Sequence, residues 1–402
     1  MNSAASSGSH LGLVGSSEAE STAASASRVV SDQAPGRRGL AAELPDFPWD
    51  TIATARATAQ AHPDGIVDLA IGTPVDPTPR LARDALVRAA NSPGYPLTAG
   101  LAELRTGIAR YLTERWGAAG VDPDATLPVI GTKELVAWLP TLLGLGPDHL
   151  VVYPTTAYPT YLVGATIAGC GAITCDDLDE LGELRPALVW INSPSNPTGQ
   201  VLGADELARR VEWARARGAV VASDECYGEY GWEAEPVSIL HPSVSRGSPV
   251  GLLAVHSLSK RSNLAGYRAG FVAGDRALVG ELLAIRKHAG MIVPAPVQRV
   301  MIELLADSEH VEVQRRRYAA RRRLLRPALE SAGFRIEHSE GGIYLWATRD
   351  EDGRRTLDLL AGLGILVAPG DFYGPAASTY VRLSLTATDE RITAAAARLS
   401  GR

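Results

Sequence analysis

The chain has 402 residues, of which 46% are hydrophobic and 21% charged, a composition typical of a globular protein large enough for two domains. Its formal net charge of −6 offers nothing to attract nucleic acid or an anionic membrane, so we expect neither partner. The three cysteines are too few and too irregularly spaced for a disulfide framework or a zinc site. With no secretion signal and no apolar run of the roughly 18 residues that a membrane helix needs, we predict a cytoplasmic protein without a metal.

The first part of the chain differs in composition from the rest. Residues 1–40 are rich in Ser, Ala and Gly and have few large apolar side chains. Such a segment buries too little surface to offset the entropy lost on ordering, so we predict a disordered tail. Ordered structure is expected to begin near Leu44, and we assign residues 41–69 to an arm that joins a small domain.

Beyond this arm, short apolar runs alternate with helical patterns. Pro79–Ala90 predicts a helix with Thr78 as its N-cap, and Leu101–Trp116 and Ala204–Ala216 predict two more helices. Buried strands are expected at Ile66–Ile71, Val129–Ile130, Leu150–Tyr153, Ala187–Ile191, Ala219–Ala222, Leu252–Val255 and Gly270–Ala273. The alternation predicts an α/β fold of three layers, with helices on both faces of a mainly parallel sheet.

The pattern changes after about residue 305. His310–Leu329 predicts a long, arginine-rich helix whose charges form a solvated face. Strands are expected at Phe334–Glu337, Gly342–Trp346 and Tyr380–Leu385. We therefore divide the ordered chain into a large domain over residues 70–305 and a smaller α+β domain over residues 306–402.

A lysine stands just beyond one of the predicted strands. Residues 257–260, with the sequence Ser-Leu-Ser-Lys, follow the run Leu252–Val255, and Arg268 lies eight residues further on. The Lys260 amine can form a Schiff base with a carbonyl cofactor, and Ser257 and Arg268 can hold a phosphate on that cofactor. Taken alone, a lysine in a turn is more often a solvated surface charge.

Two neighbouring runs also end in polar residues. Asp224 and Tyr227 follow the run Ala219–Ala222, and Asn196 lies in a proline-rich turn after Ala187–Ile191. Ligands of open α/β sheets bind beyond the carboxyl ends of the strands. A carboxylate there can keep a pyridine nitrogen protonated, and a tyrosine and an amide can donate to a ring oxygen. Each residue also has an ordinary structural interpretation. Asp224 can be a helix N-cap, Tyr227 a half-buried tyrosine, and Asn196 part of a structural turn.

The remaining candidates are an anion cradle, an aromatic ring and a buried cation. Gly131, Thr132 and Lys133 open a predicted helix, whose free N–H groups and dipole favour a phosphate. Tyr158 can stack on a pyridine ring, although most such aromatic residues belong to the core. Arg382 lies in an otherwise apolar strand, where it needs an anionic partner, either a substrate carboxylate or an internal salt bridge.

None of these residues is decisive alone, but their joint occurrence at element ends points to pyridoxal 5′-phosphate (PLP). Over about residues 45–400 the chain resembles the class I/II aminotransferases, PLP enzymes of fold type I. The motifs that carry the resemblance are Asn196-Pro197-Thr198-Gly199, Asp224-Glu225-Cys226-Tyr227, and residues 257–260 with Arg268.

The resemblance implies a role for each residue. It makes Lys260 the lysine that bonds PLP, Asp224 the partner of the pyridine nitrogen and Tyr227 a catalytic residue at the ring oxygen. It implies further cofactor contacts for Gly131, Thr132, Lys133, Tyr158, Asn196, Ser257 and Arg268, and substrate contacts for Gly72, Asn196 and Arg382. Tyr95 is implied to reach the phosphate of a neighbouring subunit, which implies a homodimer with shared active sites.

Longer strings are similar to those of actinobacterial N-succinyldiaminopimelate aminotransferases of lysine and cell-wall biosynthesis; they are Asp46–Asp50, Gly72–Pro77, Lys133–Pro140 and His288–Pro294. The implied reaction moves an amino group from glutamate to N-succinyl-2-amino-6-oxopimelate and leaves 2-oxoglutarate. Both substrates carry more than one carboxylate, so a second cation beyond Arg382 is expected, which the sequence does not identify.

Other functions share the same cofactor residues. They include aminotransferases for aspartate, aromatic amino acids or LL-diaminopimelate, and PLP-dependent C–S lyases. A non-catalytic PLP-binding regulator is a more remote alternative, because the first 40 residues have no helix-turn-helix pattern.

Overall fold

The structure is a computed structural model that describes residues 39–401. The chain divides into two compact units, residues 1–43 and 44–402. Of the first unit the structure describes residues 39–43, which include the helical turn α1 (Leu40–Glu43). The predicted disordered tail therefore lies almost wholly outside the described residues. In the part of the chain that the structure describes, no helix is long and apolar enough to cross a membrane.

The strands belong to the second unit. Within residues 44–401 they are β1 (Val67–Asp68), β2 (Thr126–Val129), β3 (Leu150–Tyr153), β4 (Gly171–Thr174), β5 (Leu188–Asn192), β6 (Val220–Asp224), β7 (Leu252–Ser257), β8 (Gly270–Gly274), β9 (Arg335–Glu337), β10 (Tyr344–Thr348), β11 (Ile365–Leu366), β12 (Ala368–Pro369) and β13 (Tyr380–Ser384).

Helices alternate with these strands. In the same range they are α2 (Ala53–Gln60), α3 (Arg80–Arg88), α4 (Ala102–Trp116), α5 (Thr132–Leu142), α6 (Thr160–Ala168), α7 (Ala204–Ala216), α8 (Pro242–Ser245), α9 (Leu258–Arg261), α10 (Arg276–Ala289), α11 (Ala295–Leu305), α12 (Glu309–Ser331), α13 (Gly353–Gly362) and α14 (Asp389–Ser400). Short 3₁₀ turns occupy Pro48–Ile52, Pro123–Ala125, Leu178–Leu181, Ala265–Tyr267, Gly370–Tyr373 and Pro375–Ala377.

The central sheet has seven strands in the order β2-β8-β7-β6-β5-β3-β4. The strands from β7 to β4 are parallel, and β8 is antiparallel to both of its neighbours. Every residue of β5, β7 and β8 is buried, which explains why these strands are continuous apolar runs in the sequence. The predicted mainly parallel α/β sheet is confirmed.

Both faces of this sheet are covered. Along β5, Leu188 and Trp190 belong to one hydrophobic cluster, while Val189 and Ile191 belong to another. Successive strand residues point to opposite faces, so the two clusters lie on the two sides of the sheet. Helices contribute to each cluster, which gives the predicted three layers.

A third hydrophobic core lies around a four-stranded antiparallel sheet in the order β12-β13-β10-β9. Its residues come mainly from the ranges 52–70 and 318–399. Strands β1 and β11, which belong to these two ranges, pair in parallel. The domain boundaries at residues 70 and 305 stay a prediction. We propose to keep them, because the separate core and the β1–β11 pairing support an arm that packs with the C-terminal part of the chain.

Several local predictions were wrong. Thr78 is not the N-cap of α3; the cap is Pro79, without a side-chain hydrogen bond, and the Thr78 hydroxyl lies 3.5 Å from the Asn263 carbonyl oxygen. The strand predicted over residues 66–71 shortens to β1, because β11 offers only two residues to pair with. β2 begins at Thr126, earlier than predicted. β4 was not predicted, because it is half-exposed and lacks an apolar run.

Candidate active site

Three neighbouring parallel strands bring the predicted polar residues to one edge of the central sheet. β5 ends at Asn192, β6 at Asp224 and β7 at Ser257. Asn192 stands directly opposite Asp224 in the pairing register. Because the strands are parallel, their carboxyl ends form one rim, which is where open α/β sheets bind ligands. The candidate site therefore lies at this rim.

Asp224 is a buried carboxylate, only 6% exposed, and among residues 39–401 it has no ion-pair partner. The Tyr161 hydroxyl donates to its Oδ2 at 3.0 Å, and the Cys226 N–H donates to its Oδ1 at 3.2 Å. Burial raises the pKa of this carboxyl, although the hydrogen bonds from Cys226 and Tyr161 oppose the increase. A bound cation would offset the cost of burying the charge, so the position suits a protonated ring nitrogen.

Lys260 lies on α9, the single helical turn that follows β7. The Ser257 Oγ accepts a hydrogen bond from the Ser259 N–H at 3.2 Å and so caps this turn. The Tyr230 hydroxyl donates to the Lys260 carbonyl oxygen at 2.7 Å. The backbone around the lysine is therefore fixed on both sides.

The Lys260 side chain points toward the segment after β1, where its ammonium donates to the Gly72 carbonyl oxygen. Burial lowers the pKa of Lys260, and the positive charges of Arg382 and Arg268 lower it further. Lowering the pKa makes the neutral amine, which is the nucleophilic form, more available near neutral pH.

Arg382, on β13, is 3% exposed. Its Nη1 donates to the Asn196 Oδ1 at 2.6 Å and its Nη2 to the Ala70 carbonyl oxygen at 2.7 Å, and the Tyr344 ring centroid lies 3.9 Å from its Cζ. Its Nε has no hydrogen-bond partner, and no carboxylate of the described residues pairs with it. The internal salt bridge considered for Arg382 is therefore not formed, and an unused buried donor is left to meet an anion.

The turn that carries Asn196 is held by Asn192. The Asn196 N–H donates to the Asn192 Oδ1 at 2.7 Å, and the Asn192 amide donates to the Asp224 carbonyl oxygen at 2.9 Å. The peptide bonds that precede Pro194 and Pro197 are cis. This network places the Asn196 amide beside Arg382.

Tyr344 connects Tyr227 to Gly72. The Tyr227 and Tyr344 hydroxyl oxygens are 3.1 Å apart, and a Cβ added at Gly72 would lie 2.6 Å from the Tyr344 Cε1. Only glycine fits at position 72 without displacing that ring. Burial alone would raise the pKa of Tyr344, but the charges of Arg382 and Lys260 outweigh it and lower the pKa.

Gly131, Thr132 and Arg268 belong to the predicted phosphate site, and Gly131 and Arg268 lie against each other. Gly131 precedes α5 with φ of +75°, and a Cβ there would lie 2.7 Å from the Arg268 Cζ. Arg268 also has a left-handed backbone, and its Nη1 donates to the Ala265 carbonyl oxygen at 2.9 Å. The guanidinium thus stands over the bare backbone at a helix N-terminus, where both groups offer donors to a phosphate.

Tyr158 and Lys133 line a cavity of about 470 Å³ that Arg382 also lines. The Tyr158 ring packs edge-on against Tyr161, with ring centroids 5.9 Å apart, and burial raises the pKa of Tyr158 to about 12. Tyr95 lies apart from this group, with its side chain 100% exposed. That Tyr95 reaches the phosphate of a neighbouring subunit stays a prediction.

The sequence reasoning missed four residues of the site: Asn192, Tyr161, Tyr344 and Tyr373. Asn192 was detectable, because it directly follows the predicted strand Ala187–Ile191. Tyr161 is a second tyrosine three residues after Tyr158, although only Tyr161 lies on α6. Tyr344 and Tyr373 carry no local signal, because their contacts with Arg382 join distant parts of the chain.

The arrangement meets the needs of PLP. It offers a buried carboxylate with no cation partner among the residues described, a lysine of lowered pKa, and a glycine-opened helix N-terminus beneath a guanidinium. Fold and site together define a PLP-dependent enzyme of fold type I. The chain belongs to the aminotransferases of class I and II, whose family model matches residues 64–399. The predicted fold, cofactor and amino-transfer chemistry are thereby confirmed.

Individual relatives are similar over most of the chain. It is 61% identical to a probable aminotransferase of Mycobacterium tuberculosis, covering 91% of this chain and 88% of the relative. It is 59% identical to the 4-dedimethylamino-4-oxo-anhydrotetracycline transaminase of Streptomyces rimosus, covering 89% and 99%. A solved structure of a probable N-succinyldiaminopimelate aminotransferase from Thermus thermophilus matches with a TM-score of 0.80 at 28% identity, covering 88% and 100%.

Proposed function

We propose that this aminotransferase moves an amino group between glutamate and N-succinyl-2-amino-6-oxopimelate, a step of lysine and diaminopimelate biosynthesis. The observation that carries the proposal is the position of the strings that resemble N-succinyldiaminopimelate aminotransferases. Residues 46–49 and Lys133, which belong to two of those strings, line the cavity beside Arg382. The likeness to the Thermus thermophilus structure points to the same substrate.

In this proposal, bound PLP supplies an electron sink for the carbanion that forms when the substrate Cα loses its proton. Lys260 would bind the cofactor aldehyde and, as a free amine, would move the substrate Cα proton as a general base. Asp224 would keep the pyridine nitrogen protonated, and Asn196 and Tyr227 would donate to the ring oxygen. Tyr158 would stack on the ring, and Gly131, Thr132, Ser257 and Arg268 would hold the phosphate.

The proposal assigns the substrate contacts to Arg382 and Gly72. Arg382 binds the α-carboxylate through its forked donors, with Nε available for an added hydrogen bond. Gly72, the other predicted substrate contact, has no room for a side chain, because a Cβ there would meet the Tyr344 ring, and its carbonyl oxygen accepts a hydrogen bond from the Lys260 ammonium.

The proposal includes a homodimer with shared sites. Exposed apolar side chains cluster in residues 71–97, where Tyr95 is 100%, Leu97 63% and Val75 52% exposed. A second copy of the chain would cover them and bring Tyr95 to the partner's phosphate. Analytical ultracentrifugation of the PLP-bound enzyme tests this, and a fully active monomer contradicts it.

A second candidate substrate is a polycyclic ketone. Several aromatic rings line the cavity, and flat aromatic faces stack on fused rings. The Streptomyces rimosus relative, at 59% identity, is named for such a substrate. The family match favours either transamination over a non-catalytic regulator.

A spectral screen separates these functions. Purified yellow enzyme is mixed with N-succinyl-LL-diaminopimelate, LL-diaminopimelate, aspartate, an aromatic amino acid or glutamate, and conversion to the pyridoxamine form is followed by absorbance. We expect N-succinyl-LL-diaminopimelate and glutamate to convert the enzyme fastest. Failure of the former contradicts the proposed substrate, and pyruvate release from cystathionine would indicate a lyase.

A further inference from the structure

The cavity beside Arg382 has an apolar middle. Among the described residues, six aromatic side chains line it: Phe47, Trp49, Tyr153, Tyr158, Phe372 and Tyr373. Its volume of about 470 Å³ is ordinary for a small-molecule site. Such a wall accommodates a methylene chain or a ring, so recognition of the two ends of a ligand falls to the charged residues around it.

Two of the three cations that line the cavity are accounted for. Arg382 faces the α-carboxylate in the proposed function. Arg354 is already paired, because its Nε donates to the Asp371 Oδ2 at 2.7 Å and its other nitrogens bond to Thr51. Lys133 is the third cation.

Lys133 forms no ion pair with any residue that the structure describes. The adjacent carboxylate, Glu134, is held by Arg286 through two hydrogen bonds of 2.8 and 3.0 Å. Asp46 lies on the same cavity wall, but it is exposed and does not pair with Lys133. The ammonium is therefore available to a ligand.

The surroundings of Lys133 favour a ligand that brings negative charge. Lys133 is the second residue of α5 and is exposed, and its Nζ lies 5.9 Å from the Phe47 ring centroid and 6.0 Å from that of Tyr158. Burial lowers its pKa, and the charge of Arg268 lowers it further. The ammonium lines the cavity without a counter-ion among the described residues, and the helix N-terminus adds positive potential there.

Resting on the proposed function, we propose that Lys133 binds the distal carboxylate of the substrate. The substrate class is then an α-amino acid with a second carboxylate at the far end of an apolar chain. Arg382 and Lys133 hold the two ends, and the aromatic wall holds the middle. This assigns Lys133 to the substrate instead of the phosphate, and it supplies the second cation that the reaction requires.

A pair of amino donors tests the assignment. L-2-Aminopimelate and L-2-aminoheptanoate have the same chain length and differ only in the distal carboxylate. We expect Lys133→Met to lower the second-order rate constant for enzyme conversion by aminopimelate about 10- to 100-fold, the range of one hydrogen bond to a charged group. The aminoheptanoate constant and the PLP affinity stay unchanged, and Lys133→Arg restores part of the loss.

Lys287→Met is the matched control, because Lys287 is an exposed lysine on α10 and should change neither rate constant. If both rate constants fall equally and the PLP affinity weakens, Lys133 binds the cofactor phosphate instead of the substrate, and the inference is overturned. Equal losses at unchanged PLP affinity also overturn it, because they show only a disturbed cavity. A wild-type enzyme that does not prefer aminopimelate rules out the substrate class.

The same measurements separate this inference from the proposed function. An enzyme that prefers aminopimelate through Lys133 but does not react with N-succinyl-LL-diaminopimelate contradicts the proposed substrate alone. An enzyme that reacts with N-succinyl-LL-diaminopimelate equally well after Lys133→Met contradicts the role of Lys133 alone.

Discussion

The Tyr161 hydroxyl donates to the Asp224 Oδ2 at 3.0 Å, in a buried position where that carboxylate has no counter-ion among the described residues. Tyr161 lies on α6 and stacks on Trp190 of β5, with ring centroids 4.9 Å apart. The hydrophobic core beneath the sheet therefore sets the orientation of the carboxylate at the sheet edge.

Tyr161→Phe keeps the ring and removes this donor. The pKa of Asp224 should rise further, because one of the hydrogen bonds that oppose the effect of burial is lost. We expect the transamination rate with glutamate to fall about 10-fold, the lower range for one hydrogen bond to a charged group. Tyr380→Phe is a control, since it removes a phenol that donates to Glu337 at 2.6 Å in the small sheet. An unchanged rate in Tyr161→Phe would contradict the proposed role.

Asp224→Asn tests the charge itself. The amide occupies the same volume and still accepts hydrogen bonds, but it does not hold a ring nitrogen protonated. We expect the variant to bind PLP and to lose about 1,000-fold in rate, the scale on which one preorganised electrostatic group acts. Single-turnover absorbance with glutamate measures the loss, and a loss below tenfold would show that the carboxylate is not the partner of the nitrogen.

Lys260→Ala removes the amine at the centre of the site. We expect the purified variant to lack the yellow colour of the lysine-bound cofactor and to lose transamination, because no other lysine lies at the rim. The ratio of cofactor absorbance to protein absorbance gives the first readout. Sustained amino transfer by this variant would overturn the assignment.

Gly131→Ala tests the phosphate cradle against a matched position. Gly131 and Gly120 both have φ of +75°, but a Cβ at Gly120 meets no atom within 4 Å, whereas at Gly131 it meets Arg268. Both variants place alanine at a positive φ, and the ψ of 151° at Gly131 adds strain, because that region is open essentially to glycine alone. Only Gly131→Ala should weaken PLP binding, which a spectral titration of the apo-enzyme measures. Equal PLP affinities of the two variants would contradict the cradle.

Asp76→Asn tests stability and its pH dependence. Burial alone would raise the pKa of Asp76, but hydrogen bonds from Arg321 at 2.7 and 2.8 Å and from Gln314 at 2.7 Å lower it below the ordinary 3.8. We expect the variant to lower the free energy of unfolding by about 2 kcal/mol at pH 7. A lowered carboxyl pKa stabilises the fold above pH 3.8, so the deficit shrinks as pH falls below that value.

Urea unfolding at several pH values measures this dependence. Asp389→Asn is the control, because that carboxylate bonds the same arginine at 2.6 Å but is 70% exposed, and its loss should cost about 0.5 kcal/mol. A deficit for Asp76→Asn that is independent of pH would contradict the linkage.

The strand ends could be predicted because β5, β6 and β7 are buried on both faces and stop at polar residues. That regularity brought Asp224, Lys260 and Asn196 together without any knowledge of the packing. The contacts of Tyr344 with Gly72 and Tyr227 could not be predicted, because they form only when β10 packs against those distant parts of the chain. The Thr78 cap prediction failed because Pro79 occupies the N-cap position of α3, without a side-chain hydrogen bond.

Lysine is rare in this chain, which has only Lys133, Lys260 and Lys287, and the first two stand at the cavity and the sheet rim. Amine-directed acylation of the side chains would therefore report mainly on the catalytic centre, with Lys287 as an internal standard on the surface. Mass spectrometry of the labelled peptides could follow occupancy by substrate analogues without any engineered tag.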